Sequence, residues 1–195
     1  KGKKGNRDGS FFVGNFDEFE VDGELEWYDY WWRAGHYTRI FTEGDVSVES
    51  HYYETGYPFP AFHPESPLEA AAFETLQACC NETLMDCPYY EQLMYIGDSR
   101  IEALCVYSIT DDHRLPEKAL RMFSLSQKPD GMILSRYPAK EEQIIPSFMT
   151  LYLLMVHDYW RFHGKNAFLL EILPYARKVA GYLTSNLRDG LLCLP

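Results

Sequence analysis

The run that follows Pro146 constrains the fold most. Phe148, Leu151, Tyr152, Met155 and Tyr159 recur at steps of three and four residues, the spacing of one stripe along an α-helix. Pro146 suits the first helical position, where no N–H is needed, and Gly164 suits the end. The chain therefore contains at least one long amphipathic helix whose aromatic stripe has to be covered.

Four more helices are expected around it. Ser66-Pro67-Leu68-Glu69 reads as a start, with Ser as cap, Pro at the first position and Glu at the third, and the helix runs to about Leu84. A second covers roughly Arg100 to Thr110. A third opens with Pro116 at its first position and ends near Gln127. The last is capped by Asn166, runs to about Leu187, is kinked by Pro174 and stops at Arg188-Asp189-Gly190. Lys128 to Glu142 is a turn-rich insert, with Pro129-Asp130-Gly131 its clearest turn. Five helices with short connections favour successive antiparallel hairpins.

The residues before them read as β structure. Phe19 to Trp27 alternates apolar and acidic on both sides of Asp22-Gly23, the pattern of a hairpin with a type I′ turn. Tyr37 to Thr42 and Val46 to Val48 continue with β-branched and aromatic residues. Tyr57 to Pro67 holds four prolines and makes a linker. Residues 1–63 are thus expected to be the tail of a β-sandwich-type domain plus linker, and residues 64–195 a helical domain.

The net charge is −11, from 29 acidic and 18 basic residues. That balance disfavours nucleic acid and anionic membranes as partners, because both need positive surface. The basic cluster of Lys1, Lys3, Lys4 and Arg7 is mixed with glycine and reads as a flexible end or loop. No apolar run reaches the roughly 20 residues of a membrane span. The five cysteines, Cys79, Cys80, Cys87, Cys105 and Cys193, lack the paired spacing of a zinc site and are expected to be buried free thiols. His157 and His163 are six residues apart, the wrong spacing for one helical face, so with His113 they read as solvated or capping residues and not as ligands. No metal or cofactor is expected. Asn81-Glu82-Thr83 fits a glycosylation sequon, a weak signal. Tyr152 and Trp160 read as core.

Chemistry is concentrated in Asp86-Cys87-Pro88-Tyr89-Tyr90-Glu91-Gln92-Leu93-Met94-Tyr95-Ile96-Gly97-Asp98. Three carboxylates, three tyrosines, a proline and a glycine share this stretch. Pro88 disfavours helix at Cys87, and Gly97 permits a close turn beside Asp98. Asp86 and Asp98 then flank a short excursion that folds back and aims all three carboxylates into one cavity. By spacing alone the stretch also reads as a solvated acidic loop.

The motif DCPYYEQLMYIGDSR, Asp86 to Arg100, resembles the catalytic signature of bacterial α-L-rhamnosidases, the family 78 glycoside hydrolases. Trp32-Arg33-Ala34-Gly35-His36-Tyr37 resembles an upstream segment of that family, with His36 in place of the usual Arg, and Ile145-Pro146-Ser147-Phe148 resembles the stretch after the signature. The resemblance implies part of an (α/α)₆ barrel, preceded by antiparallel strands, in an inverting hydrolase that removes terminal α-L-rhamnose. It makes Glu91 the general acid, Asp86 and Asp98 the carboxylates that hold sugar hydroxyls, and Tyr95 an aromatic wall of the subsite. It also implies a soluble protein of the bacterial cytoplasm or periplasm.

The physical logic agrees. A carboxylic acid donates at neutral pH only if burial or nearby negative charge keeps it protonated. One sugar surrounded by three carboxyl groups sets them within about 10 Å of each other. An inverting enzyme also needs a base roughly 6.5–9.5 Å from its acid. In the family that base is a Glu far downstream, and Glu141, Glu142 and Glu171 match it by residue type only. A noncatalytic carbohydrate-binding module, or another (α/α)-barrel enzyme, are the competing readings. An acidic pocket disfavours anionic sugars. Oligomeric state is not legible in the sequence.

Overall fold

The structure, a computed structural model, describes residues 16–29, 32–35 and 37–193. The basic cluster at residues 1–7 and His36 lie outside the described residues. Five helices carry the fold: α1 Pro67–Cys79, α2 Ile96–Ile109, α3 Arg114–Leu125, α4 Pro146–His163 and α5 Ala167–Ser185. A hairpin of β1 Leu187–Arg188 and β2 Leu191–Leu192 follows.

The caps explain the boundaries. Ser66 Oγ accepts from Glu69 N at 3.2 Å and satisfies an orphan donor of the first turn, while Glu69 Oε2 reaches back to Glu65 N, just before the cap, at 2.7 Å. Helix α1 stops at Cys79, short of the expected Leu84. The chain turns back through Asn81-Glu82-Thr83, pairs Cys80 with Leu84, and so buries Leu84 completely. Helix α2 starts at Ile96 and not at Arg100, because Ile96 N is already held by Ser135 O at 2.9 Å and its side chain is core. In α3, Pro116 occupies the third position behind Arg114. A proline is tolerated there because first-turn N–H groups have no partner within the helix. Helix α4 matches its expected span, closed by Gly164 at φ 67°. Asn166 Oδ1 caps α5 through Leu169 N at 2.8 Å, and Pro174 lies within that helix.

Helices α2 and α4 pack together, α3 and α5 pack together, and each sequential pair α2–α3 and α4–α5 is joined by a connection of a few residues. Short connections between packed neighbours make these pairs antiparallel hairpins, packed side by side. Its core is built from Val106, Leu120, Phe123, Met149, Tyr152, Met155, Tyr159 and Ile172. Tyr152 and Tyr159 satisfy their buried hydroxyls, whereas the Tyr107 hydroxyl is buried without a partner. Tyr152 bonds Ser124 Oγ at 2.7 Å, and Tyr159 donates to Glu117 at 2.5 Å. Trp160, expected in the core, is half-exposed on the outer face of α4.

No strand forms among the described residues of 16–63. The turn expected at Asp22-Gly23 is present as a bend, with Gly23 at φ 98° and the Phe19 and Trp27 rings 5.0 Å apart. The ladder is not, and Phe41, Tyr52 and Tyr53 stand exposed. Isolated strand pairs are marginal without a layer to cover their apolar face. The type I′ pattern occurs instead at Asp189-Gly190, where φ is 51° and 77° and Leu187 pairs with Leu192. Residues 57–62 dock on the helices: Tyr57 N bonds Cys80 O at 2.9 Å, and Tyr57 Oη donates to Asp112 at 2.6 Å.

Candidate active site

The signature lies between α1 and α2 as a closed loop. Asp86 N donates to Leu93 O at 2.9 Å, and Leu93 N donates back to Asp86 Oδ1 at 2.9 Å. Asp86 therefore ties off the loop with one oxygen and keeps the other available. The chain turns over Pro88–Glu91, where Glu91 N meets Cys87 Sγ at 3.3 Å. It leaves the turn through Gln92, which sits in the left-handed region at φ 54°. A non-glycine residue there costs of order 1 kcal/mol. The Gln92 amide donates to Pro88 O at 2.9 Å and helps hold that conformation.

The insert between α3 and α4 forms the wall behind the loop. Tyr95 pairs with Arg136, and Tyr137 N donates to Met94 O at 3.1 Å. Ser135 anchors the insert in turn: its N–H bonds Gln143 O at 2.9 Å, and its hydroxyl takes the Ile145 N–H. Met94 and Ile96 are buried on either side of Tyr95, so apolar burial fixes where the loop ends and α2 begins. Gly97 lies inside the first turn of α2, without positive φ. A Cβ there would meet the Phe148 ring at 2.7 Å, so glycine serves close packing and not the tight turn that sequence suggested.

The three carboxylates of the signature share one electrostatic neighbourhood. Surrounding protein raises the pKa of Asp98 above the usual carboxylate range, and the negative charges of Asp86 and Glu91 add to that rise. Asp98 keeps contact with solvent from the first turn of α2. The Glu91 side chain is 52% exposed. Tyr95 is only 8% exposed, and its ring stands edge-on to Phe148 at 6.4 Å. Its hydroxyl lies 2.6 Å from Glu91 Oε2, 2.9 Å from Arg136 Nη1 and 3.0 Å from Gln143 Oε1. Burial raises the pKa of the Tyr95 phenol first and the Glu91 contact adds to it, while Arg136 opposes both. The aromatic faces open to solvent at the loop belong to Tyr89 and Tyr90, whose rings meet edge-on at 5.0 Å.

Three polar residues beside the signature were not singled out in the sequence. Arg136 and Gln143 come from the insert, which has no periodicity to mark them. Glu102 follows Asp98 by four residues and so shares its helical face, a relation hidden by placing the helix start at Arg100. Burial, then the charges of Asp98 and Asp86, push the Glu102 carboxyl up to about 8, against a smaller opposing hydrogen bond from the Met85 backbone. Its Oε2 is buried without a hydrogen-bond partner. Burial thus favours the protonated form of this acid, one turn behind Asp98. On the same helix Arg100 Nε bonds Asp158 Oδ2 of α4 at 2.8 Å, which fixes the helix that carries Asp98.

The remaining candidates lie elsewhere. Glu171 is held by Arg121 through contacts of 2.8 and 3.1 Å, and Glu142 by Lys128 at 2.6 Å. Burial pushes the Cys79 thiol up to about 11 and raises Cys80 and Cys105 as well. All five cysteines are free, although Cys105 and Cys193 are exposed where burial was expected. His163 is not solvated: its ring is wedged against Tyr107, Tyr159 and His113, and burial lowers its pKa. Among the described residues no group of three or more His, Cys, Asp or Glu side chains converges to hold a metal ion. No helix among them is long and apolar enough to cross a membrane.

Residues 67–193 match the family model of the bacterial alpha-L-rhamnosidase 6 hairpin glycosidase domain. The crystal structure of a family 78 rhamnosidase of Bacillus sp. GL1 is similar at 28% identity and a TM-score of 0.62, over 70% of this chain and 15% of that one. A rhamnosidase from Klebsiella oxytoca, solved with rhamnose bound, is similar at 21% identity and a TM-score of 0.60, over 71% of this chain and 28% of that one; at that identity the likeness shows the fold alone. No curated protein matches. The chain thus spans less than a third of the length of either solved relative.

Proposed function

Because the chain belongs to the bacterial α-L-rhamnosidase six-hairpin glycosidase family, we propose that it carries the acid side of a site that cleaves terminal α-L-rhamnosides with inversion. Glu91 is the proton donor. Its carboxyl is half-exposed at the loop and held from behind by the Tyr95 hydroxyl, so a leaving oxygen has room to reach it. Asp86 and Asp98 bind sugar hydroxyls. Asp86 is suited to this because the loop engages only one of its oxygens, and Asp98 because it stands at the open end of α2. Tyr89 and Tyr90 offer the apolar faces for the sugar's C–H groups. Tyr95, expected to line the subsite, works from behind Glu91 instead.

The observation that supports this reading is geometric: Asp86 closes the loop that carries Glu91, the insert walls it through Tyr95 and Arg136, and Asp98 follows in the first turn of α2. A solvated acidic loop would not be closed on itself and walled by a second segment. As the bond to the aglycone breaks, positive charge develops on the ring, and the same carboxylates stabilise it. The base that activates water is expected from sequence beyond the residues present here, and residues 1–63 from the end of a preceding β domain. The test is proton NMR of the full-length protein acting on an α-L-rhamnoside. Release of β-L-rhamnose as the first product supports the proposal. First release of the α anomer contradicts inversion, and cleavage only of other glycosides contradicts the substrate.

A further inference from the structure

We propose that Arg136 and Tyr95 form a clamp on one oxygen of Glu91, so that Oε2 is kept as a hydrogen-bond acceptor and Oε1 carries the proton given to the leaving group. The inference rests on Glu91 being the general acid. It adds two positioning residues, one of them from the insert and outside the signature.

The geometry is a relay of three groups. Arg136 Nη1 donates to Tyr95 Oη at 2.9 Å, and Tyr95 Oη donates to Glu91 Oε2 at 2.6 Å. A phenol has a single proton, and Glu91 makes the shorter of its two acceptor contacts. Gln143 Oε1 is the more distant acceptor at 3.0 Å, and with its amide turned end for end the same residue would donate to the phenol oxygen. The phenol oxygen is thus supplied by Arg136 from behind and spends its own proton on Glu91. Arg136 Nη1 also lies 3.9 Å from the same Oε2. The Tyr95 hydroxyl donates to Oε2 from the protein side, and the Arg136 charge stands behind it. A proton on Oε2 would displace the Tyr95 proton from this short contact and face the Arg136 charge, so the acid form of Glu91 is assigned its proton on Oε1.

The wall supports the same conclusion. Arg136 is only 19% exposed, its Nε is buried without a partner, and it lies 5.6 Å from the centre of the Tyr95 ring. A guanidinium so placed is costly to desolvate, and among the described residues Glu91 is the only carboxylate within 4 Å of it. The pairing of Tyr95 with Arg136 fixes both backbones, so the clamp is part of the wall and does not need substrate to form. After proton transfer the full negative charge of Glu91 meets donors already in place, the arrangement that favours charge developing late in the reaction.

The test uses the full-length protein with Arg136→Met, Arg136→Lys and Tyr95→Phe, two substrates and one labelling experiment. The substrates are an alkyl α-L-rhamnoside, whose leaving group needs a proton, and p-nitrophenyl α-L-rhamnoside, whose leaving group does not. Loss of a hydrogen bond to a charged group is worth roughly 10- to 100-fold. Arg136→Met and Tyr95→Phe are expected to lower kcat/KM by about that factor on the alkyl substrate and far less on the nitrophenyl one, with Arg136→Lys recovering part of the loss. Equal losses on both substrates, or none on either, overturn the clamp. Carbodiimide labelling read by mass spectrometry gives a second readout without turnover. Glu91 is expected to react several-fold faster in Arg136→Met and Tyr95→Phe than in the parent, relative to Asp98. Unchanged relative labelling overturns the clamp whatever the activity. A parent protein inactive on every rhamnoside refutes the proposed function, and labelling alone then decides the clamp.

Discussion

Replacing Glu102 by Gln is expected to stabilise the protein, and to do so only above mildly acidic pH. Below pH 4.5, the ordinary value for Glu, the carboxyl is protonated in folded and unfolded chains alike and costs folding nothing. As pH rises further the unfolded chain ionises Glu102, while the folded protein holds the proton until about 8. The folded state then binds more protons than the unfolded one, so stability falls with pH across that window and levels off above it. At about 1.4 kcal/mol for each pH unit, the full window corresponds to roughly 5 kcal/mol. Glu102 is not fully enclosed, and its neighbours relax, so about 2–4 kcal/mol is expected from Glu102→Gln at pH 8.5 and under about 1 kcal/mol at pH 5. The isosteric amide keeps the shape and cannot ionise. Urea unfolding of parent and variant at both pH values reads this directly. A gain that is the same at pH 5 and 8.5, or a loss at pH 8.5, would refute the argument that Glu102 is buried as a neutral acid behind Asp98.

Gly131→Ala is expected to cost about 2–4 kcal/mol, because φ is +102° and the new Cβ would meet the Lys178 carbonyl oxygen at 2.5 Å; the midpoint of urea unfolding checks it. Asp86→Asn and Asp98→Asn are expected to slow alkyl and nitrophenyl rhamnosides by the same factor, since these residues hold the sugar and not the leaving group. Parallel kcat/KM measurements on the two substrates decide that, and a loss confined to the alkyl substrate would make one of them the acid.

The helices were legible where side chains signal them locally. Ser66, Asn166, Pro146 and Gly164 each act within a turn of their own position, and the caps they form lie where the pattern placed them. The strands expected before residue 63 do not form among the described residues. Alternation at Phe19–Trp27 records a preference that needs a covering layer, and no such layer lies over the described residues. The start of α2 was hidden because tertiary pairing of Met94 and Ile96 with the insert sets it, not a local cap. For the site, the resemblance supplied roles for Asp86, Glu91, Tyr95 and Asp98, but not the contacts that surround Tyr95. Tyr95 reads as a sugar wall until Phe148 and Glu91 are seen to occupy its ring edge and hydroxyl. Arg136 reaches Tyr95 across 41 residues of sequence, and no spacing rule spans that distance.

The central claim is that Glu91 gives up a proton to the leaving group. Its most direct test is Glu91→Gln in the full-length protein, assayed on an alkyl and on a p-nitrophenyl α-L-rhamnoside. The account predicts a loss of roughly 10²–10⁴-fold on the alkyl substrate, the usual size of general acid catalysis, and a much smaller loss on the nitrophenyl one, which departs without protonation. Equal losses on the two substrates would contradict it. Glu91 would then be a sugar-binding residue, and the acid would have to be sought elsewhere.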